Sequence, residues 1–239
     1  MTSAPRPLDG VKVVEFSHMV MGPTCGLILA DLGADVVKVE PASGGDNTRY
    51  LPGSGSGIFG TYNRNKRSVS VNLKSPEGLE FASRLVRESD VLIENFSAGV
   101  LERLGLGYEA MQKANPRLVY CALKGFLSGP YEQRVALDEV VQMMGGLAYM
   151  TGPEGRPLRA GASVNDVMGG LFGVVAIQAA LWERQRTGKG TFVRSGLFEN
   201  NMFLVAQHML QYRQTGVPAV PMPERKSAWA IYDVFETAD

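Results

Sequence analysis

Short apolar runs alternate with amphipathic stretches along the first part of the chain. Val11 to Phe16 is a β-rich run, and Gly22-Pro23 opens an apolar helical pattern that stops at Gly33. A second short run of the buried-strand type follows at Val36 to Val39. Strand, helix and strand in this close succession predict a right-handed βαβ unit and therefore a parallel sheet.

The same alternation recurs further along the chain. Ser68 to Leu73, Asp90 to Glu94 and Leu118 to Leu123 have the composition of strands. After the first of them, Ser75-Pro76 has the form of a helix start and Leu79 to Arg87 that of an amphipathic helix body. Two short helical pieces precede the last of these strands. Such alternation is typical of a doubly wound α/β domain.

The second half of the chain holds two long helix candidates. The first begins at Asp166 and ends at Thr187, and the second runs from about Phe198 to Thr215. A strand from Thr191 to Gly196 separates them. The pattern therefore extends the α/β domain to residue 215.

The composition changes after Gly216. Prolines at 218, 221 and 223 indicate a linker, and Ala230 to Phe235 resembles a strand that has only just begun. We therefore expect a large domain over residues 1–215, which includes the long linking helix. Residues 216–239 are expected to be a linker and the start of a smaller domain whose remainder is missing.

Composition and charge are those of an ordinary globular protein. Hydrophobic residues make up 45% of the chain, charged residues 20%, and the formal net charge is zero. This balance argues against disorder and against an extended nucleic-acid surface. No signal-peptide core and no uninterrupted apolar run of about 18 residues is seen, so we expect a cytoplasmic protein without a membrane partner.

Cysteine and histidine are scarce. Cys25 and Cys121 form no C-x-x-C pair and are predicted to be buried, reduced thiols. His18 and His208 lie near no carboxylate or cysteine at ligand spacing. The sequence therefore predicts no metal site.

Residues 17–23 connect the first strand to the first helix and are a site candidate by position. Open parallel sheets bind ligands at the carboxyl ends of their strands, beside a helix N-terminus. The segment carries no G-x-G-x-x-G or P-loop motif, so a plain βα connection is the alternative. His18 fits either a catalytic base or a residue that hydrogen-bonds the loop.

Two polar segments follow the second predicted strand. Residues 44–57 are rich in glycine and contain one cation, Arg49, as in a mobile lid or a loop that a ligand approaches closely. Arg64, Lys66 and Arg67 then precede the next strand. These three cations fit either a grip on the phosphates of an anionic cofactor or a solvated surface run.

Asp166 heads the longest predicted helix. As a local feature it fits an N-cap, which is a common role for aspartate. A carboxylate at a helix N-terminus is also held ionised by the helix dipole, which would keep it available as a nucleophile. Gly169 and Gly170 weaken the helix unless something approaches its backbone there, and this favours a site.

Several motifs together resemble family III CoA-transferases, the formyl-CoA transferase type, along essentially the whole chain. They are Leu8-Asp9-Gly10-Val11-Lys12-Val13, Gly22-Pro23, Leu32-Gly33-Ala34-Asp35-Val36-Val37-Lys38-Val39-Glu40, Gly45-Asp46-Asn47-Thr48-Arg49, Asn65-Lys66-Arg67-Ser68, Glu94-Asn95-Phe96, Asn115-Pro116-Arg117 and Thr187-Gly188-Lys189-Gly190. The resemblance implies a Rossmann-like CoA-binding domain joined to a smaller domain, in an interlocked homodimer.

The resemblance also implies an activity. Such enzymes move CoA from an acyl-CoA donor to a free carboxylic acid, with CoA as substrate and no permanently bound cofactor. An aspartate, matched here by Asp166, forms a mixed anhydride and then an aspartyl-CoA thioester. The runs at residues 142–146 and 159–161 look most like members that act on short dicarboxylic acids.

The resemblance implies CoA contacts residue by residue. The expected contacts are His18 and Val20 at the thioester, Val71 and Lys74 at the adenine and ribose phosphate, Asn95 and Phe96 at the pantetheine or diphosphate, and Arg103 and Leu104 at the diphosphate. The family's transferases carry glutamine at the position of Val20, and Pro41 stands where an arginine can occur. Both departures argue against plain formyl or oxalate specificity.

Two other functions are weighed against transfer. The α-methylacyl-CoA racemases of the same family use a histidine and an aspartate as bases. Here Leu137 replaces that histidine, which favours transfer, and Asp138 or Glu139 is expected to assist Asp166. The second alternative is an inactive CoA-binding fragment, since family members extend beyond residue 239.

Overall fold

The six strands form one fully parallel sheet. The computed structural model describes residues 4–225, 231 and 235–238, and its strand order is β3-β2-β1-β4-β5-β6. The strands are β1 (Lys12–Phe16), β2 (Asp35–Pro41), β3 (Arg67–Val71), β4 (Val91–Glu94), β5 (Val119–Lys124) and β6 (Phe192–Gly196). The predicted parallel α/β fold is confirmed, and each of the six strands predicted before residue 216 lies within two residues of its observed bounds.

Helices cover both faces of the sheet. They are α1 (Met21–Asp31), α2 (Ile58–Asn63), α3 (Pro76–Arg87), α4 (Val100–Arg103), α5 (Tyr108–Ala114), α6 (Asp138–Met144), α7 (Leu147–Thr151), α8 (Val164–Thr187) and α9 (Leu197–Thr215), with 3-10 turns at Asn47–Tyr50, Gly53–Gly55 and Met222–Glu224. The Ser75 hydroxyl accepts a hydrogen bond from the Gly78 N–H, so the predicted start of α3 is confirmed.

The strand order reverses direction between β1 and β4. From β1 the chain winds outward through β2 to β3, and it then returns to β4 on the other side of β1. Loops that leave neighbouring strands at such a switch point diverge to opposite faces, which opens a crevice at the carboxyl ends. The loops after Phe16 and Glu94 meet at this crevice.

Helix α8 packs directly against α1 through glycines. A Cβ added to Gly170 would lie 2.8 Å from both the Met21 carbonyl oxygen and the Thr24 Cβ, and one added to Gly169 would lie 2.4 Å from the Met21 methyl. The backbone that approaches these glycines therefore belongs to α1. The glycine pair is explained by helix packing and does not by itself indicate a ligand.

In the described residues, α8 is also a helix long and apolar enough to cross a membrane by length and composition. In this fold its buried residues, among them Val174, Ile177 and Leu181, form one apolar cluster with Leu29 of α1 and Ile93 of β4. The helix is thus a core helix of the α/β domain.

Cys25 and Cys121 are free, buried thiols, as predicted. Although they are far apart in sequence, α1 and β5 bring them together beside Gly173. A hydrogen bond with Cys121, and then burial, raises the pKa of the Cys25 thiol. Both side chains act as small apolar residues of the core.

Three short helices and the chain's end differ from the sequence expectations. The patterns did not predict α2, α6 or α7, which are five to seven residues long. The strand expected at Ala230 to Phe235 lies largely outside the described residues. The division at residue 215 stays a prediction.

Candidate active site

A cleft of about 530 Å³ lies at the carboxyl ends of β1, β4 and β5. Its walls are the loops after those three strands, the start of α6, and the segment that leads into α8. The lining includes His18, Val20, Asn95, Phe96, Lys124, Leu137, Asp138, Glu139, Arg159 and Asp166. Its volume is within the usual range for sites that bind small molecules, about 300–1,000 Å³.

Asn95 holds the loop after β1 by its backbone. Its side-chain oxygen accepts from the His18 N–H at 3.0 Å, and its amide donates to the His18 carbonyl at 2.8 Å. The His18 ring stacks on Phe96 with centroids 5.7 Å apart, and Met19 has a positive φ of 62°. Desolvation lowers the pKa of His18, so its ring is neutral at pH 7 and its backbone is fixed by Asn95.

A buried ion-pair network supports this loop from below. Glu15 pairs with Lys66 at 2.8 Å and with Lys38 at 3.4 Å, and Lys38 also pairs with Asp46 at 3.0 Å. The Lys38 ammonium donates to the Ser17 carbonyl at 2.6 Å. Charges buried in this way must be paired, so the network ties the loop after β1 to the loop after β2.

The cationic run before β3 does not reach the cleft. Arg64 pairs with Asp31 at 2.6 Å and Arg67 with Asp35 at 2.5 Å, at the amino ends of the strands, while Lys66 is buried against Glu15. Arg64 and Arg67 are exposed, which agrees with a solvated surface run for these two, whereas Lys66 is buried. None of the three lines the cleft, so they are not placed to bind phosphates there. Arg64 and Arg67 hold the fold together at the edge of the sheet opposite the cleft, whereas Lys66 belongs to the ion-pair network that supports the loop after β1.

The first half of the glycine-rich segment is anchored. Arg49 makes a bidentate pair with Glu40 at 2.7 and 2.8 Å, and its guanidinium lies 3.8 Å from the Phe59 ring centroid. Gly45 has a φ of +80°, and a Cβ there would lie 2.8 Å from a Glu40 carboxylate oxygen. This contact network is inconsistent with a mobile lid over residues 44–49.

Asp166 lies in the first turn of α8 and lines the cleft. The helix begins at Val164 with Ser163 as the N-cap residue, so the expectation that Asp166 caps the helix is wrong. Burial, and after it the charges of Asp138 and Glu139, raise the pKa of Asp166 to about 7 against the opposing charge of Arg159. The sequence suggested a carboxylate held ionised by its helix, but in the fold Asp166 is more readily protonated than an aspartate in water.

Asp138 caps helix α8 from a distance. Its side chain is buried, and one carboxylate oxygen accepts from the backbone N–H groups of Asn165 and Asp166 at 2.7 and 2.9 Å. The other oxygen accepts from the side-chain amide of Gln142. Asp138 therefore satisfies helix-terminal donors next to Asp166, a role that the sequence did not indicate.

Gln142 extends this network to the segment before α8. Its side-chain oxygen accepts from the Ala160 N–H at 2.8 Å, and it is fully buried. One turn of α6 thus holds both the start of α8 and the backbone beside Arg159. The sequence analysis named the run at residues 142–146 but gave Gln142 no structural role, because its partners lie at positions 138 and 160 and no local pattern joins them.

The expected site residues divide into two groups. Asp166, Asp138, His18, Val20, Asn95 and Phe96 line one cleft. Val71 is buried in the core at the end of β3, Leu104 is partly buried against the same core, and Lys74 and Arg103 are exposed. These last four residues are not part of the cleft lining, and all their roles in CoA binding stay predictions.

Lys124, which lines the cleft, and the buried Glu94 beneath it were not given a role by the sequence analysis. They form a 2.6 Å ion pair, and the Lys124 ammonium donates to the Phe96 carbonyl at 2.7 Å. Burial raises the pKa of Glu94 to about 6, although Lys124 opposes that rise. The pair fixes the loop that carries Asn95. Among the described residues, no group of three or more His, Cys, Asp or Glu side chains could hold a metal ion.

Known proteins share this sequence and fold. The family model for CoA-transferase family III matches residues 8–239. A succinate–glutarate CoA-transferase from Agrobacterium fabrum is 39% identical over 254 residues, which cover 100% of this chain and 64% of that protein. An acetyl-CoA:oxalate CoA-transferase from Acetobacter aceti is 39% identical over 239 residues, covering 98% of this chain and 61% of that protein.

A solved structure agrees with the sequence matches. A CaiB/BaiF family protein from Brucella suis is 41% identical and superimposes with a TM-score of 0.86, over 92% of this chain and 60% of that one. The chain spans less than two thirds of the length of each of these three relatives.

Proposed function

Because the chain belongs to CoA-transferase family III, we propose that it moves CoA from an acyl-CoA thioester to a short dicarboxylic acid. The observation that carries the proposal is Asp166, a carboxyl with a pKa of about 7 at the wall of a cleft of about 530 Å³. Relatives named for transfer to glutarate and to oxalate support a dicarboxylate acceptor.

The proposed chemistry uses Asp166 twice. Its carboxylate attacks the donor thioester, which forms a mixed anhydride and releases CoA thiolate. The thiolate attacks the aspartyl carbonyl of the anhydride, which gives an Asp166–CoA thioester and the free donor acid. The acceptor carboxylate then attacks this thioester, and the returning thiolate attacks the acceptor carbonyl, which releases acceptor-CoA and regenerates Asp166.

Local features support Asp166 as the nucleophile. A carboxylate that is desolvated and lies beside other acids is a stronger base than one in water, so it forms an acyl bond more readily once ionised. Asp138 fixes the backbone at Asp166 itself. Leu137, in the position where the racemases carry a histidine, supplies no second base.

A second copy of the chain is part of the proposal. Helices α8 and α9 expose large apolar side chains, including Trp182 at 76% and Phe203 at 68%. Val175 of α8 and Met209 and Leu210 of α9 are also exposed. Surfaces of this kind usually mark an interface, and a homodimer would cover them.

Acyl exchange tests the proposal directly. The full-length gene product is incubated with succinyl-CoA and a panel of mono- and dicarboxylic acids, and new acyl-CoA is detected by mass spectrometry. We expect exchange with short diacids. Absence of new acyl-CoA with every acid, from a protein that still binds CoA, would leave a CoA-binding role and exclude transfer.

The rate of exchange is expected to depend on the ionisation of Asp166. Only the carboxylate attacks, and its pKa is about 7, so kcat/KM should fall about tenfold per pH unit below that value and level off above it. Stopped assays across this range check the profile. If kcat/KM instead began to fall only near pH 3.8, the ordinary pKa of aspartate, the buried environment assigned to Asp166 would be wrong.

The cations before β3 are expected to be unimportant for substrate binding. Arg64→Gln and Arg67→Gln each remove an exposed ion pair at the far edge of the sheet. We expect the KM for acyl-CoA to stay within about twofold and the free energy of unfolding to fall by no more than about 1 kcal/mol. Steady-state kinetics and chemical denaturation measure both effects. A tenfold rise in KM would instead support the interpretation that these cations bind the phosphates of CoA.

A further inference from the structure

Arg159 is held at the wall of the cleft, close to Asp166. Its neighbour Ala160 is anchored through its N–H to Gln142, and the Arg159 Nε donates to the Ala160 carbonyl at 3.1 Å. The backbone is therefore fixed while the rest of the side chain reaches the cleft lining. Its charge is near enough to lower the pKa of Asp166, in opposition to Asp138 and Glu139.

The cleft has an excess of acidic side chains. Glu132, Asp138, Glu139 and Asp166 line it, and so do the cations Lys124, Arg134 and Arg159. Lys124 is committed to Glu94 at 2.6 Å, and the Arg134 guanidinium lies 4.6 Å from the Tyr131 ring centroid. An anionic acceptor that enters beside Asp166 therefore needs a cation, and Arg159 is the one that acts on Asp166.

Within the protein, Arg159 makes a weak ion pair with Glu139. Its Nη1 lies 3.5 Å from a Glu139 oxygen, with exposed side-chain fractions of 43% and 45%. The bidentate Arg49–Glu40 pair shows the contrast, with contacts of 2.7 and 2.8 Å. A long, half-exposed ion pair contributes little to stability, so an incoming carboxylate can displace Glu139 readily.

We propose that Arg159 binds the remote carboxylate of a dicarboxylic acceptor, and that Glu139 pairs with it until that acceptor arrives. The inference rests on the proposed function and adds the residue that selects diacids. A guanidinium presents parallel N–H donors that match the two oxygens of a carboxylate. While Arg159 holds one end of the diacid, the other carboxylate is free to attack the carbonyl carbon at Asp166.

The first test compares two acceptors of equal carbon number. Arg159→Gln is assayed with glutarate and with pentanoate at about pH 8.5, where Asp166 is ionised in either variant. We expect kcat/KM for glutarate to fall at least about 30-fold and that for pentanoate less than about threefold. Arg134→Gln, at the other arginine that lines the cleft, should change the ratio of kcat/KM for glutarate to kcat/KM for pentanoate by less than about threefold.

The second test is a substitution that should improve the use of glutarate instead of impairing it. Glu139→Gln removes the competing carboxylate, so at the same pH of about 8.5, where Asp166 is ionised, the KM for glutarate should fall about two- to fivefold while the KM for pentanoate does not fall. Arg159→Lys keeps the positive charge but loses the parallel N–H donors of the guanidinium. It should therefore recover only part of the kcat/KM for glutarate that Arg159→Gln loses.

The outcomes separate this inference from the proposed function. Equal losses for the two acids in Arg159→Gln, or no loss for either, would overturn the assignment while exchange by the unsubstituted protein stands. If the unsubstituted protein exchanges with no acid, the transferase proposal itself fails. Thermal unfolding of each variant identifies a loss that is due to misfolding, and Glu139→Gln then still decides, because a gain in affinity cannot come from misfolding.

Discussion

Replacing Asp166 with alanine is expected to lower kcat for CoA exchange by at least about 10⁴-fold, because both covalent intermediates of the proposed route are built on this carboxylate. Binding of CoA should change little, since the other walls of the cleft stay in place. Mass spectrometry of exchange products and calorimetric titration with CoA measure the two effects.

Trapping identifies the acylated residue independently of rates. Hydroxylamine attacks an aspartyl anhydride or thioester and forms a hydroxamate, so it should modify Asp166 only in the presence of acyl-CoA. Asp166→Asn serves as the isosteric control and should give no adduct. Turnover in Asp166→Ala, or an adduct at another carboxyl, would show that the nucleophile has been assigned wrongly.

Replacing Asp166 with asparagine should also change how the stability of the protein depends on pH. The folded pKa of Asp166, about 7, lies above the ordinary value of 3.8, so the folded state binds this proton more tightly than the unfolded state does. Its stabilising contribution is full below pH 3.8 and is lost as the pH rises to about 7. Asp166→Asn removes this cost and should raise the melting temperature more at pH 8 than at pH 4.

The strands could be predicted from local patterns, but the contacts that position Asp166 could not. In a parallel sheet both faces are covered, so strands such as Val91–Glu94 appear as continuous apolar runs. A buried residue such as Asp138 carries no such signature. Its partners at positions 165 and 166 follow 27 and 28 residues later, and only the tertiary fold brings α6 to the start of α8.

Asp166 shows how a local rule can fail beside a distant group. Aspartate before an apolar helix is a common N-cap, and the helix dipole then favours its ionised form. Here the start of α8 is instead capped by Asp138, and burial, together with the charge that this cap brings, raises the pKa of Asp166. One buried carboxylate therefore changes both the structural role and the ionisation expected for its neighbour.

Arg64 and Arg67 lie outside the cleft for a topological reason. A residue just before a parallel strand lies at the amino edge of the sheet, whereas ligands bind at the carboxyl edge. Arg67 begins β3 and pairs with Asp35, which begins β2. Once the direction of the strand is considered, the position of such a run along the sequence excludes it from the crevice.

Asp138→Asn is expected to lower kcat by about 10²- to 10³-fold, even though the two side chains have the same shape. The oxygen of asparagine can still accept from Asn165 and Asp166, but its amide then faces the amide of Gln142, and two donors oppose each other. Gln142 cannot rotate to relieve this contact, because its oxygen is needed by the Ala160 N–H. The start of α8 therefore shifts, and a displacement of about 1 Å at a reacting group is enough for such a loss.

A second change separates positioning by Asp138 from direct chemistry. In Asp138→Asn with Gln142→Glu, one oxygen of residue 142 accepts from the new amide and the other from the Ala160 N–H, so the hydrogen-bond polarity is restored. If Asp138 only positions Asp166, the double variant should recover at least about tenfold of the lost kcat. In the single variant the acid limb of kcat/KM should also move below pH 7, because the charge of Asp138 raises the pKa of Asp166. A double variant as slow as the single one, in a protein that folds normally, would mean that the carboxylate of Asp138 itself takes part in the reaction.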